Sequence, residues 1–157
     1  MAEYSDSASM PTIKHKVFAY ITHADRLLVF RHPDSPDAGI QVPAGTMEEG
    51  ENPEEAVMRE AFEETGLTGL ELHAYLGEDD HHVPELGQTD RRRFYHLRCE
   101  RDPPAAWRHQ EEHPSDGSPG PYTFEFFWVR LPEGVPPLAP GHDAMLPKLL
   151  ELLAAPP

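Results

Sequence analysis

The chain has little positive charge, a single cysteine and no long apolar run. Its 157 residues carry 13 Lys and Arg against 28 Asp and Glu, a formal net charge of −15. That balance repels polyanions at long range and argues against broad nucleic-acid binding, which rests on basic patches. Cys99, the one cysteine, allows no internal disulfide and suits a reducing cytoplasm. No stretch approaches the roughly 18 apolar residues of a membrane span, and the opening MAEYSDSASMPTIKHK has no apolar signal core. Pro (18) and Gly (11) together stay below the level of a low-complexity disordered chain. No internal repeat is visible. The expectation is a cytoplasmic protein with a polar tail over residues 1–10 and one domain over 11–157.

What is abundant is carboxylate, and at one place it is crowded. The stretch REAFEETG (59–66) sets Glu60, Glu63 and Glu64 within five residues. Its flanks predict a helix over about 53–64. Asn52 is a good N-cap, Pro53 suits the first helical position, Glu55 completes a capping box, and Gly66 suits a left-handed C-cap. On such a helix the three glutamates share one arc, while Val57, Met58, Ala61 and Phe62 form an apolar face opposite. Like charges one turn apart destabilise a helix by about 0.2–0.5 kcal/mol per pair. They also lie near the C-terminal end, where the helix dipole opposes them. Arg59 offsets one at most. Two readings follow: a solvated acidic face, or a site for a hard divalent cation such as Mg²⁺.

The wider segment GTMEEGENPEEAVMREAFEETGL, from Gly45 to Leu67, decides between them. Its spacing of Gly45, Glu51, Arg59-Glu60, Glu63-Glu64 and Gly66 resembles the Nudix box at every defined position. The resemblance covers 23 residues. It implies an α+β Nudix fold, with a mixed β-sheet sandwiched between α-helices. It implies a loop–helix–loop holding one to three Mg²⁺ or Mn²⁺ ions. By the same resemblance Glu60, Glu63 and Glu64 are the catalytic and metal-binding carboxylates, with Glu63 a ligand or the base acting on water. The Gly45 carbonyl joins the metal set, and Glu51, Arg59 and Gly66 are structural. Family members often have Pro-Gly-Gly before the box, whereas here the sequence is PAG, with Ala44 in a glycine's place.

Elsewhere, residues 16–32 read as two strands about a turn near Ala24-Asp25, and 32–39 as loop. Residues 70–76, 91–100 and 122–131 read as strands, 77–90 and 101–121 as loops, and 145–155 as a helix packing on the sheet. His81-His82 is assigned to loop, and Phe94, Phe124 and Phe126 to core. Arg91 to Arg93 form the one basic run, with Arg91 and Arg93 taken as candidate phosphate contacts. Trp107 and His109, with Glu111 and Glu112, suggest a lid over the site; Trp107 and Glu112 are its chosen candidates, a stacking platform and a downstream carboxylate.

The resemblance implies a metal-dependent pyrophosphohydrolase acting on a small, soluble nucleoside diphosphate linked to another group X. Two alternatives stand beside it: a catalytically silent nucleotide-binding or sensing module, and an RNA 5′-end pyrophosphohydrolase. No membrane partner is expected, and the oligomeric state is left open.

Overall fold

A computed structural model describes residues 12–112 and 120–155. The expected tail over 1–10 lies outside the described residues, as does the part of the expected loop from 113 to 119. In chain order the elements are β1 (Thr12–His23), β2 (Arg26–Arg31), β3 (Ala44–Thr46), α1 (Pro53–Thr65), β4 (Leu70–Val83), β5 (Gln88–Cys99), β6 (Ala106–Glu111), β7 (Tyr122–Arg130) and α2 (Leu146–Ala154).

The strands form one mixed sheet in the order β4-β5-β1-β2-β7-β6, with β3 paired to β1. β1 and β5 run parallel, and the other pairs are antiparallel. Alternate side chains of β1 point to opposite faces. Val17, Ala19 and Ile21 join Ala56, Val57 and Ala61 of α1 in one core. Phe18 and Tyr20 join Phe94, Leu76 and Leu149 of α2 in the other. The fold is therefore α+β, with the sheet between the two helices, as the resemblance implied.

One departure from a regular sheet makes room for a site. β1 and β2 pair only beside their turn, at Thr22–Leu27 and His23–Arg26. Beyond that they splay, and the chain from Gln41 to Thr46 enters the gap. Gln41 exchanges both backbone hydrogen bonds with Phe30 of β2, and β3 pairs with Lys16, Val17 and Phe18 of β1.

Several sequence expectations need correction. Residues 106–111, expected as loop, form β6, an edge strand paired to β7. Its polar residues and flanking prolines are those of a solvated edge, which needs hydrogen bonds but little burial. β4 runs on through 77–83, so His81 and His82 lie in a strand. Its outer half is largely exposed, which explains its polarity. Within α1, Phe62 is 53% exposed, whereas Glu60 and Glu64 are buried with Ala56, Val57 and Ala61. The buried stripe thus includes two glutamates.

Candidate active site

The capping box anticipated for α1 is present. The Asn52 side chain accepts from Glu55 N–H at 2.9 Å, and the Asn52 N–H donates to the Glu55 carboxylate at 3.5 Å. At the far end Gly66 adopts the left-handed conformation, φ 74°, and its N–H returns to the Phe62 carbonyl. A helix held at both ends fixes the azimuth of its glutamates.

Arg59 ties the preceding loop to this helix. It donates to both oxygens of Glu51 at 2.7 and 2.9 Å, to Glu60 Oε1 at 2.8 Å, to Glu63 Oε1 at 3.1 Å and to the Thr46 carbonyl at 3.3 Å. These bonds hold the Glu51 carboxyl below the usual carboxylate range. Gly45 in β3 admits Glu60: a Cβ there would overlap the Glu60 carboxyl group. Ala44 N–H donates to Glu64 Oε1 at 3.3 Å, a second link between β3 and the helix.

The three glutamates of the helix do not share one environment. Glu60 and Glu64 are buried, at 1% and 4% exposure, while the Glu63 side chain is 44% exposed beside Arg59. Glu111, at the end of β6, completes a different trio. One carboxylate oxygen from each of Glu60, Glu64 and Glu111 lies within 4.8 Å of the others. Burial pushes the Glu60 carboxyl up to about 7, against the opposing pull of Arg59, and Glu111 and Glu63 add to the rise. Glu64 is also raised well above the usual carboxylate range, first by burial and then by Glu111 and Glu60. Glu60 Oε2 is buried and has no hydrogen-bond partner among the described residues. Converging buried carboxylates need protons or a cation. An all-oxygen donor set with an unsatisfied oxygen fits a hard divalent cation of the Mg²⁺ or Mn²⁺ kind.

Two of the trio, Glu64 and Glu111, line a cavity of about 570 Å³ together with Gly45. One wall is aromatic: Phe30 and His32 pack on Phe124 with ring centroids 4.7 and 5.0 Å away, and Tyr122 adjoins His32. Burial draws His32 below its usual range.

The candidates outside the box are placed elsewhere. Trp107 stacks on Phe126 at 5.1 Å and donates to the Thr65 carbonyl at 2.9 Å, so it packs behind α1 and does not line this cavity. Its neighbour His109 donates to the Glu63 carbonyl. Glu112 is exposed, while the adjacent Glu111 is buried in the trio. Arg91 pairs with Asp80 through two 3.0 Å bonds, and Arg93 with His15 and Glu78. Arg92, between them, lines the cavity with Lys16 and His142. The signal for Glu111 was the period-2 pattern of AWRHQE: once it is a strand, Trp107, His109 and Glu111 share the face toward α1.

The NUDIX domain pattern matches residues 13–149, and the chain belongs to this family of pyrophosphohydrolases. Similar solved structures agree in fold. The solution structure of the E. coli ORF135 protein is 21% identical with a TM-score of 0.64, covering 94% of this chain and 95% of that one. The MutT NUDIX hydrolase from Burkholderia pseudomallei is 20% identical with a TM-score of 0.61, covering 88% and 98%. A UDP-X diphosphatase is 15% identical with a TM-score of 0.64, covering 98% of this chain and 71% of that one.

Proposed function

We propose that the chain hydrolyses the pyrophosphate bond of a small, soluble nucleoside diphosphate linked to a group X. The observation that carries this is the buried trio Glu60, Glu64 and Glu111, two of which line a cavity with an aromatic wall. We assign the trio, with the Gly45 carbonyl, to holding one to three Mg²⁺ or Mn²⁺ ions. Such an ion, when bound, supplies charge neutralisation at the phosphoryl oxygens and lowers the pKa of a bound water.

The remaining work falls to the chain. Arg59 positions Glu60 and Glu63 and braces the loop through Glu51 and Thr46. Glu63, half-exposed and tethered, is the carboxylate assigned to receive a proton from water. Phe30, His32 and Phe124 provide a largely apolar surface for a base, and cations held by the trio would offset the repulsion of an anionic substrate by a protein of net charge −15. The cavity lies within the roughly 300–1,000 Å³ common for small-molecule sites. The free, buried thiol of Cys99 is in keeping with a cytoplasmic setting. No helix among the described residues is long and apolar enough to cross a membrane.

The test is a panel of nucleotide sugars, ADP-ribose, dinucleoside polyphosphates and a 5′-triphosphorylated oligonucleotide, assayed with Mg²⁺ and with a chelator. Metal-dependent turnover of one small nucleotide derivative is expected. No turnover of any would assign the chain to binding or sensing, and a kcat/KM for the oligonucleotide tenfold above the best small substrate would assign it to RNA ends.

A further inference from the structure

Of three consecutive arginines, the structure satisfies two and leaves the middle one incomplete. Arg91 and Arg93 point to one face of β5 and face Asp80 and Glu78 across the β4–β5 ladder. Arg92 points to the other face and is 8% exposed. Its guanidinium lies over the Phe18 ring at 4.9 Å, and Nη1 donates to the Pro140 carbonyl at 2.9 Å. Among the described residues it forms no ion pair, and its buried Nε has no hydrogen-bond partner. Burial lowers its affinity for the proton, with Asp90 and Asp79 opposing, but an arginine stays charged in any protein.

The surroundings keep that guanidinium at the cavity wall. Gly141, at φ +79°, has no side chain, and a Cβ there would overlap Arg92 Nη1. Lys16, the cross-strand neighbour of Arg92, lines the same cavity and approaches Asp90 at 3.9 Å. His142 completes this end, held neutral by burial and by Arg92. β3 and β5 flank β1 on opposite sides, so this basic end is two strand spacings, roughly 10 Å, from the strand that carries Gly45.

We propose that Arg92 is a substrate-binding residue: with Lys16 beside it, its guanidinium takes a phosphate group of the substrate where these two residues and His142 line the cavity. A buried cation without a carboxylate partner is costly, and a phosphate supplies both the counter-charge and the acceptor. This rests on the hydrolase reading for the identity of the ligand, while the anion site itself can be tested without turnover.

The first experiment uses wild-type protein with a chelator present and inorganic pyrophosphate as probe, following arginine Nε–Hε resonances by NMR, the Arg92 signal being assigned by its loss in Arg92→Lys. A saturable shift of the Arg92 resonance, with Arg91 and Arg93 unmoved, is expected, and loss of binding at least tenfold in Arg92→Gln. The second measures hydrolysis with Mg²⁺. Arg92→Gln and Lys16→Gln should raise KM about tenfold with kcat changed less than threefold and an unaltered melting temperature. An unmoved Arg92 resonance, or a KM unchanged in a folded Arg92→Gln, would overturn the proposal and leave Arg92 as a clamp on Pro140. Saturable pyrophosphate binding without hydrolysis of any substrate would uphold the anion site and sink the hydrolase reading instead.

Discussion

The two sides of the sheet bury polar groups of opposite kind. Beneath α1 lie three carboxylates, two of them raised by burial and by one another. On the α2 side lie Tyr20, His142 and Arg92, with one buried carboxylate, Asp90, set against Lys16 at 3.9 Å. That side is largely satisfied internally: the Tyr20 hydroxyl donates to the His142 carbonyl at 2.7 Å and accepts from Met145 N–H, and His142 Nδ1 accepts from Val42 N–H. On the α1 side acids converge on acids, with Arg59 reaching Glu60 and the Ala44 N–H reaching Glu64. A fold tolerates buried polar groups that bond to one another, whereas like charges at close range need something from outside.

The strongest test of this contrast removes the carboxylates. Glu60→Gln, Glu64→Gln and Glu111→Gln should each lower kcat by about a hundredfold or more. In chelator each should keep or raise the melting temperature, because repulsion is relieved. The neighbouring Glu112→Gln should change kcat less than threefold. Steady-state kinetics and melting on the same samples decide; activity loss that merely tracks unfolding would make the trio structural.

pH should act on the two sides in opposite directions. Glu60 titrates near 7 in the folded chain against 4.5 in the unfolded one. Between those values the metal-free fold holds a proton the unfolded chain has lost, so the Glu60 contribution falls as pH rises and is lost above 7, with the raised Glu64 adding to the fall. His142 is drawn down to about 3 from 6.5 by burial and by Arg92. Its contribution is full above 6.5 and is lost as pH falls toward 3. Each such group contributes a slope of up to about 1.4 kcal/mol per pH unit. Melting curves in chelator should therefore show Glu60→Gln flattening the upper limb and His142→Asn the lower one, with Mg²⁺ flattening only the upper. An upper limb that Mg²⁺ leaves unchanged would break the comparison.

Two smaller effects lie outside both buried layers. Asn52→Ala removes one half of the capping box and should cost about 1 kcal/mol in denaturant unfolding, with a loss of activity if the azimuth of α1 matters to the trio. Ala24 sits at φ 53° in the β1–β2 turn, a conformation glycine adopts without strain. Ala24→Gly should gain up to about 1 kcal/mol and leave kinetics unchanged.

Much of the α1 side was legible in the chain. Capping residues, the box spacing and the Glu51–Arg59 pair depend on contacts within about twenty residues, which local pattern records. β6 was not legible, because an edge strand between prolines carries no hydrophobic signature, and its loss hid Glu111 behind Glu112. Trp107 looked like a lid because the strand that buries it on Phe126 had not been recognised. The burial of Glu60 and Glu64 also escaped: an amphipathic reading sends charge to solvent, and only the absence of a side chain at Gly45 lets the helix press its glutamates into the sheet.

The sequence alone determined the family, the helix that carries the glutamates, and the need for a counter-charge there, since all three follow from residue types at fixed short spacings. The tertiary structure decided which carboxylates meet. Glu60 and Glu64 find Glu111 across the sheet edge, 47 residues beyond Glu64, and Glu63 turns outward. It also decided which of three adjacent arginines faces the cavity, because strand alternation sends neighbours to opposite faces and only the paired strands reveal which face is which.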